Sequence, residues 1–433
     1  MYCAYITTIK ELRKHYNADR LQCATIFGNN VIVDMSYVEG QKVIFFPTDG
    51  QLSKEFATDN NLVRVKDENG NNIGGYLDPD KRNITALRLR GEKSEGLVLP
   101  VEVLAKYGDI SKLKDGDQIT VFGGHDICCK YIPRSNRSAG HPLPHGKKNK
   151  KEEKFTVSYP YFAEHIDTAQ LAYNQGAFKP GDICYITLKM HGTSARSANA
   201  IEITTKKVPK LLKKLFQFKD KTITTYKAIS GTRRVTLRDY DGGYFGSNEF
   251  RSKYHQMFAE KLPKGMEVFY EIVGWIDGER TIMGRCNNKL VKDKEFSKQY
   301  GNETVFSYGC NVGANDCYVY RMTMTNPDGY VVEIPWEQVQ RECEKMGVKC
   351  VLTFERFEFT TWEDLMARVE KYYDGPDPIG KTHIREGIVI RIDNREKFTA
   401  YKHKNFSFKC LEGIIKDSAD APDIEEAQEL INE

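Results

Sequence analysis

The stretch from Asp182 to Asn199, DICYITLKMHGTSARSAN, places a lysine where it could act as a nucleophile. Its first half alternates polar and apolar residues and includes β-branched side chains, which predicts a strand that ends at Lys189. Residues 190–194 then form a glycine-containing turn with two hydroxyls, so few large side chains compete for space around the amine. A lysine can attack phosphorus when burial or neighbouring cations lower its pKa. A surface lysine before an ordinary turn is the alternative interpretation of this stretch alone.

Further charged residues recur at strand positions downstream. Glu271 interrupts an apolar run, where an acid needs a partner, a metal or a ligand. Lys402 and Lys404 are two residues apart, so they share one face of a strand. Each such charge alone is weak support for a site, but their order along the chain is specific. In that order the residues are Arg233, Arg234, Glu271, Glu386, Lys402 and Lys404.

This ordered set resembles the motifs of the covalent nucleotidyltransferases, the superfamily of DNA ligases, RNA ligases and mRNA-capping enzymes. The resemblance extends from about residue 160 to residue 410. Motif I resembles residues 189–192, motif Ia 230–234, motif III 269–274, motif IIIa 318–321, motif IV 386–387 and motif V 402–404.

The resemblance implies a covalent intermediate. Lys189 would attack the α-phosphate of ATP, expel pyrophosphate and become linked to AMP. Lys402 and Lys404 would contact the α-phosphate as cations and would help to lower the pKa of Lys189. Glu386, together with Glu271, would hold Mg²⁺ or Mn²⁺.

The resemblance also implies a nucleotide pocket. Arg233 or Arg234 would reach the ribose or the phosphates, and Phe269 or Tyr270 would stack on adenine. Residues 164–168, Glu-His-Ile-Asp-Thr, are similar to the segment that lines the base pocket in some RNA ligases. The expected nucleotide-binding residues are Glu164, His165, Ile166, Thr168, Lys189, Arg196, Arg233, Arg234, Phe269, Glu271, Glu386, Lys402 and Lys404.

His191 is a departure from the superfamily, whose usual motif I reads KxDG. An imidazole here replaces an anion close to the nucleophile, so any electrostatic role of that aspartate must differ. One interpretation is a degenerate, inactive domain; the other is a KxHG subgroup in which His191 makes a structural hydrogen bond or assists proton transfer. We favour an active enzyme, because the other five motifs keep their reactive residue types. The candidate catalytic residues are Lys189, His191, Glu271, Glu386, Lys402 and Lys404.

The 433 residues are too many for one compact core, so more than one domain is expected. Residues 1–133 contain many short strands separated by turns, as in an OB-like β-barrel, and residues 134–154 have the composition of a linker. Residues 155–433 would be the nucleotidyltransferase domain. The predicted fold is α+β: an N-terminal OB-like β-barrel followed by an ATP-grasp-like nucleotidyltransferase domain of antiparallel sheets with flanking helices. An OB module in first position resembles the RNA ligase 5 family.

Three local predictions add detail. Residues 87–94 place basic side chains beside a glycine turn, which is either an RNA-gripping loop or a solvated barrel rim. Helices are predicted at residues 336–346 and 362–372. Asp167 or Thr168 could cap a short helix over residues 169–174.

We therefore expect an ATP-dependent RNA ligase that seals 3′-OH and 5′-phosphate ends, with RNA held in an RNA:RNA or RNA:DNA duplex as its partner. A DNA ligase, a GTP-using capping enzyme and a catalytically decayed RNA-binding protein are the alternatives. The net charge of +4 permits a nucleic-acid partner without requiring one. No apolar stretch approaches the roughly 18 residues of a membrane span, and the first residues lack a signal-peptide pattern. A cytoplasmic monomer is expected.

Overall fold

The computed structural model describes residues 2–132, 155–162, 165–208, 219–237, 240–241, 245–393 and 395–417. They form a mixed α+β structure in which, among the named strands, every ladder except one is antiparallel. The predicted α+β class with antiparallel sheets is confirmed. The predicted linker, residues 134–154, and the predicted pocket residue Glu164 lie outside the described residues.

The chain divides into two compact units, each described here by itself. The first comprises residues 1–134, 286–304 and 405–423, and the second comprises residues 135–285, 305–404 and 424–433. The sequence prediction places residues 286–304 and 405–423 in the second domain, whereas their described parts pack in the first unit. Within that unit Lys409 pairs with Glu95 and Arg88 pairs with Asp293. Such long-range partners cannot be read from local patterns.

The first unit is built mainly from short strands. Its strands are β1 (Ala4–Thr8), β2 (Leu12–Lys14), β3 (Leu21–Ile26), β4 (Asn29–Asp34), β5 (Lys42–Phe46), β6 (Gly50–Leu52), β7 (Val65–Lys66), β8 (Asn72–Gly74), β9 (Asn83–Ile84), β10 (Ala86–Leu89), β11 (Glu92–Glu95), β12 (Leu97–Pro100), β13 (Gln118–Ile119), β14 (Val121–Phe122), β15 (His125–Asp126) and β16 (Cys128–Lys130). The main sheets have the strand orders β12-β5-β1-β13, β2-β3-β4 and β16-β6-β9, and the core includes the fully buried Ile6, Phe46 and Phe56. The single α-helix of residues 2–132 is α1 (Lys54–Asp59), capped by the Ser53 side chain.

The other described residues contain further strands, several of them longer, and further helices. The strands are β17 (Phe155–Ser158), β18 (Ala169–Gln170), β19 (Ile183–Lys189), β20 (Thr193–Lys206), β21 (Lys221–Gly231), β22 (Thr236–Leu237), β23 (Met266–Gly274), β24 (Cys286–Asn287), β25 (Glu303–Thr304), β26 (Asn315–Thr325), β27 (Val331–Glu333), β28 (Thr353–Glu358), β29 (Gly387–Ile392) and β30 (Thr399–Lys404). The helices are α2 (Ser252–Lys261), α3 (Lys294–Tyr300), α4 (Trp336–Met346), α5 (Trp362–Tyr372) and α6 (Phe406–Asp417). Of these, β24, β25, α3 and α6 belong to the first unit.

A five-stranded sheet of the second unit, in the order β18-β30-β29-β19-β28, has one apolar and one polar face. Ile186 and Ile388 lie on the apolar face and pack in a core with Leu365 and Val369 of α5. Because side chains alternate along a strand, Thr187 and Lys189 lie on the opposite face. The candidate nucleophile, Lys189, is thus positioned by a strand whose opposite face packs against α5.

A seven-stranded sheet, in the order β22-β21-β20-β23-β26-β27 with β17 also paired to β20, forms the other layer of the second unit. Arg391 lies on the polar face of the five-stranded sheet and donates to the carbonyl of Tyr320 in β26 at 3.3 Å. Its guanidinium is also 3.7 Å from Glu333 of β27. The polar face of the five-stranded sheet therefore faces the seven-stranded sheet, and a polar site forms between them.

The predicted helices at residues 336–346 and 362–372 are confirmed as α4 and α5. The prediction of a short helix over residues 169–174 was wrong. There Ala169 and Gln170 form β18, which pairs in parallel with Tyr401 and Lys402, and a 3₁₀ turn follows at Leu171–Tyr173. No helix among the described residues is both long enough and apolar enough to cross a membrane.

Gly387 opens β29 with a backbone conformation that only glycine adopts easily, at φ +148°. A Cβ atom on this residue would lie 2.1 Å from the carbonyl oxygen of His403 in the neighbouring strand. The glycine therefore lets β29 and β30 approach closely where Glu386 enters the sheet.

Gly387→Ala is expected to destabilise the protein by about 2–5 kcal/mol, because it adds both backbone strain and a backbone clash. Chemical unfolding measures this loss. Gly278→Ala is the matched control, since nothing lies within 4 Å of the Cβ position at Gly278. Equal stability of the two variants would contradict the steric argument.

Candidate active site

Lys189 is the last residue of β19 and lies opposite Gly387 of β29. Its backbone belongs to a buried strand, and 22% of its side chain is exposed. The amine is therefore held by a rigid element and is still reachable by a substrate. This agrees with the strand-end position expected from the sequence.

Glu386 is the carboxylate closest to this amine. Its Oε1 lies 2.8 Å from Nζ of Lys189 and 3.4 Å from Nζ of Lys404, and only 2% of its side chain is exposed. A buried carboxylate of this kind needs cationic partners, and two lysines provide them. The structure thus brings together three residues from three predicted motifs.

Lys402 and Lys404 extend the positive face around Lys189. Lys404 pairs in register with Gly387 and Lys402 with Val389, so both lie on the same sheet face as Lys189. Lys404 is buried and Lys402 is partly exposed. Three lysines on one face attract the phosphates of a polyanionic ligand.

Glu271 lies on β23, directly opposite Ser194 of β20. Ser194 Oγ donates a hydrogen bond of 3.0 Å to Glu271 Oε2. Burial raises the pKa of Glu271 to about 7; the Lys189 charge opposes this shift and the Glu386 charge adds to it. The carboxylate is poised so that a nearby cation would favour its ionised form.

A divalent metal at this site would need further ligands from water or from the substrate. No group of three or more His, Cys, Asp or Glu residues that could hold a metal occurs within the described part of the chain. Mg²⁺ is commonly held by one or two carboxylates together with water and substrate phosphates. Glu271 and Glu386 match that pattern.

His191, two residues after the nucleophile candidate, is a buried part of the turn. Its backbone N–H donates to the hydroxyl of Tyr308 at 2.6 Å, and its ring meets the ring of Phe306 edge-on at a centroid distance of 4.7 Å. Nδ1 lies 3.9 Å from Glu386 Oε2. The imidazole therefore occupies a partly aromatic position in which an aspartate would be poorly solvated.

The predicted base-pocket segment lies beside β26. His165 Nδ1 is hydrogen-bonded to the hydroxyl of Tyr320 at 3.0 Å, and Arg233 is ion-paired with Asp167. Burial, and secondly the charge of Arg233, lowers the pKa of His165 to about 3, so its ring is neutral at pH 7. A neutral imidazole can both donate and accept hydrogen bonds.

Ile166 and Thr168 complete the described part of this segment. Ile166 is exposed and Thr168 is partly buried. The pairing of β18 with β30 places the following residues, Ala169 and Gln170, against Tyr401 and Lys402. The tertiary structure thus brings the segment to the edge of the site.

Two predicted nucleotide-binding residues are engaged inside the protein. Arg196 is 2% exposed; it donates to the carbonyl of Thr232 at 3.0 Å and stacks on Phe162 at 3.8 Å. Phe269 is fully buried, with the guanidinium of Arg321 4.4 Å from its ring centre. Neither side chain offers an exposed face to a base in this structure.

The sequence left open the choices between Arg233 and Arg234 and between Phe269 and Tyr270, and the members of each pair differ in their surroundings. Arg233 forms the ion pair with Asp167, whereas the backbone carbonyl of Arg234 accepts from the buried Arg196. Tyr270 is fully buried on the other face of β23, with its hydroxyl 3.1 Å from Ser197. Of the arginine pair, Arg233 is the one placed beside His165.

Sequence reasoning missed three residues of the site. Ser194 is the partner of Glu271, Tyr320 is the partner of His165, and Tyr308 holds the turn after Lys189. Ser194 and Tyr320 lie within or next to recognised motifs, so alternation along their strands could have found them. Tyr308 lies in a loop and carries no local signal.

Of the comparisons with known proteins, only the one with solved structures gives matches. No family model matches the chain, and no curated protein matches it. Among solved structures, an RNA ligase from Naegleria gruberi superposes over nearly the whole chain. A variant of it with ATP and manganese gives a TM-score of 0.57 at 16% identity, over 94% of this chain and 98% of the ligase. A variant with AMP and manganese gives 0.56 at 16% identity, over 94% and 97%, and the ligase with pyrophosphate gives 0.54 at 16% identity, over 94% and 98%.

The chain shares the fold of this RNA ligase. At 16% identity the likeness concerns the fold alone. The likeness covers 94% of this chain.

Glu271→Gln is expected to remove a pH dependence of stability between about pH 4.5 and pH 7. Folding raises the pKa of Glu271 from 4.5 to about 7. In this interval the folded protein therefore holds a proton that the unfolded chain has released, and stability falls as the pH rises. The loss is on the order of 3 kcal/mol by about pH 7.

Urea unfolding in EDTA at about pH 5 and pH 8 measures the effect on the wild type and the variant. Glu279→Gln, at an exposed glutamate, is the control. A Glu271→Gln variant whose stability changes with pH as steeply as that of the wild type would contradict the assignment.

His191→Asp would give residues 189–192 the KxDG sequence of the predicted motif I, yet it is expected to destabilise this protein by about 1–3 kcal/mol. The new carboxylate would lie near Glu386 and against the ring of Phe306, where a second negative charge is unfavourable. Thermal unfolding compares it with His191→Asn, which is neutral and similar in size. The idea fails if the aspartate variant is as stable as the asparagine variant.

Proposed function

We propose that this protein is an ATP-dependent RNA ligase that joins a 3′-OH end to a 5′-phosphate end. The observation that carries the proposal is the cluster of Lys189, Glu386 and Lys404, with Nζ–Oε1 distances of 2.8 and 3.4 Å. The fold shared with the Naegleria gruberi RNA ligase, whose structures contain ATP, AMP or pyrophosphate, supports it.

Lys189 is the nucleophile of the first step. Its neutral amine attacks the α-phosphorus of ATP, an N–P bond forms, the bond to the bridging oxygen breaks, and pyrophosphate leaves. AMP then passes from Lys189 to the RNA 5′-phosphate, which breaks the N–P bond and forms a new phosphoanhydride. Finally the 3′-OH attacks the RNA 5′-phosphorus, and AMP leaves as the phosphodiester forms.

The surrounding charges match the demands of these transfers. Lys402 and Lys404 offset negative charge on the α-phosphate as the transition state forms. Glu271 and Glu386 would hold Mg²⁺ or Mn²⁺ together with the phosphates. When bound, that metal would neutralise phosphate charge and orient the leaving group.

The nucleoside end is proposed to lie at the segment of residues 164–168. His165, with Tyr320 behind it, would contact the base, and Arg233 would reach the ribose or a phosphate. Ile166 and Thr168 would line the same pocket, with Glu164 as a further predicted member. Arg196 and Phe269 would support this pocket from within the sheet, since both are buried.

The first unit is proposed to be an OB-like module that grips RNA, as in the RNA ligase 5 family that the sequence resembles. In its β10–β11 hairpin, Arg88 is ion-paired with Asp293, whereas Arg90 at the turn is exposed. Arg90 is therefore the residue best placed to contact phosphate. We further propose nicks held in a duplex as substrate, and action as a monomer in the cytoplasm.

Lys189→Ala is expected to abolish formation of the covalent AMP adduct. Intact mass before and after incubation with ATP and Mg²⁺ would rise by one AMP in the wild type and stay constant in the variant. Lys345→Ala, at an exposed helix position, is the matched lysine control. GTP in place of ATP tests the capping-enzyme alternative.

Protein purified without bound AMP that gains no mass with ATP would mean that the pocket is catalytically decayed. The same protein would then be assayed for RNA binding alone. If the adduct forms, nicks with an RNA or a DNA 3′-OH strand distinguish an RNA ligase from a DNA ligase.

A further inference from the structure

A buried cluster of Phe306, Tyr308, Asp377 and His383 lies behind the nucleophile turn and has no part in the proposed chemistry. Asp377 and His383 are both fully buried. Burying an acid and an imidazole costs free energy unless contacts compensate for it. The buried cluster is therefore expected to have a structural role that offsets this cost.

Tyr308 connects this cluster to the turn. Its hydroxyl accepts the backbone N–H of His191 at 2.6 Å, and its ring meets that of His383 at a centroid distance of 4.6 Å. Its backbone φ of +50° lies in the left-handed region, which is unusual for a bulky residue. Burial, aided by the charge of Asp377, raises the pKa of Tyr308 well above its usual value, so the phenol stays neutral.

Phe306 holds the other side of His191. Its ring contacts the imidazole of His191 at 4.7 Å and that of His383 at 5.1 Å, edge-on in both cases. The backbone and the ring of His191 are thus restrained separately, one by Tyr308 and the other by Phe306.

The loop that supports Tyr308 leads directly to Glu386. Asp377 Oδ2 accepts the backbone N–H groups of Ile379 at 3.1 Å and Gly380 at 2.6 Å, and its own N–H donates to the carbonyl of His383 at 2.8 Å. A Cβ on Gly380 would lie 2.3 Å from the backbone nitrogen of Gly309, so the two segments pack backbone to backbone. One hydrogen-bonded loop therefore carries His383, which packs against Tyr308, and leads to Glu386, which pairs with Lys189.

The far end of the nucleophile turn is anchored independently. Arg251 is fully buried and donates to the carbonyl of Ser194 at 3.0 Å and to Thr193 Oγ1 at 2.7 Å. With this end fixed, the hydrogen bond from His191 to Tyr308 restrains the middle of the turn.

We propose that Tyr308 is a positioning residue for the nucleophile: its hydroxyl, supported by Phe306 and His383, sets the Lys189–His191 turn so that the lysine amine faces the phosphorus it attacks. This inference rests on the proposed function. It assigns His191 a supporting role in which its N–H and its ring matter, and it explains how a histidine occupies a place usually held by aspartate. Small misplacements of a reacting group cost large factors in rate.

The test is Tyr308→Phe, which removes the hydroxyl and keeps the ring. Single-turnover transfer of AMP from ATP to the protein is expected to slow by about 10- to 100-fold. The ATP concentration giving half-maximal rate should change by less than about two-fold, because the Tyr308 hydroxyl bonds to the backbone of His191, which is not among the predicted nucleotide-binding residues. Tyr254→Phe is the matched control: it removes a buried hydroxyl with a 2.8 Å hydrogen bond to Asn315, in the same unit.

A second measurement separates positioning from general damage. Sealing of an RNA that already carries AMP on its 5′-phosphate does not use Lys189 as the nucleophile, so Tyr308→Phe should seal it within about three-fold of the wild-type rate. Loss of both partial reactions in a folded variant, or AMP transfer as fast as in Tyr254→Phe, would overturn the inference.

If Tyr308→Phe does not fold, Phe306→Leu decides the question. It weakens the ring contacts with His191 and His383 and leaves the hydroxyl of Tyr308 in place. AMP transfer should slow by roughly three- to ten-fold with an unchanged ATP requirement. A folded Phe306→Leu protein with the wild-type rate overturns the inference. A wild-type protein that takes no AMP from ATP instead refutes the proposed function, and the inference falls with it.

Discussion

The ion pair between Glu386 and Lys189, at 2.8 Å, is the interaction around which the site is built. The carboxylate is almost fully buried and is shared with Lys404 at 3.4 Å. Removal of one partner from such a pair leaves an uncompensated buried charge, which is strongly destabilising. The three side chains come from the end of β19, the residue before β29 and the end of β30, so the pairing of these strands and the site depend on each other.

The two sheets of the second unit create the setting for this cluster. The five-stranded sheet buries its apolar face against α5, which leaves a polar face with three lysines directed at the seven-stranded sheet. Arg391 bridges the layers through Glu333 and the carbonyl of Tyr320. Two polar layers can pack in this way only because ion pairs and hydrogen bonds satisfy the groups that packing removes from water. Part of the Lys189 side chain, 22%, stays exposed.

His191 shows how the surroundings accommodate a residue that departs from the predicted motif. The imidazole lies against Phe306, and its backbone is held by Tyr308, so the position is more aromatic than a carboxylate would tolerate. The residues that make this environment lie more than a hundred positions downstream. A motif comparison treats residue 191 as a departure, whereas the structure shows a histidine with fitting neighbours.

Much of the local structure could be predicted from the sequence, because alternation and helical periodicity are local properties. The strand ending at Lys189, the helices α4 and α5, and the shared face of Lys402 and Lys404 follow from such patterns. The prediction of a helix over residues 169–174 was wrong, because pairing of β18 with β30 outweighs a weak helical preference in so short a segment.

The sequence by itself determined which residues could do chemistry and which elements carry them. Only the tertiary structure decided which carboxylate meets Lys189, that Arg196 and Phe269 are buried, and that Tyr308 supports the turn. It also decided that α6, at the far end of the chain, packs in the first unit. The physical reason is the same in each case: these outcomes depend on distances between residues far apart in the chain, and no local pattern encodes such distances.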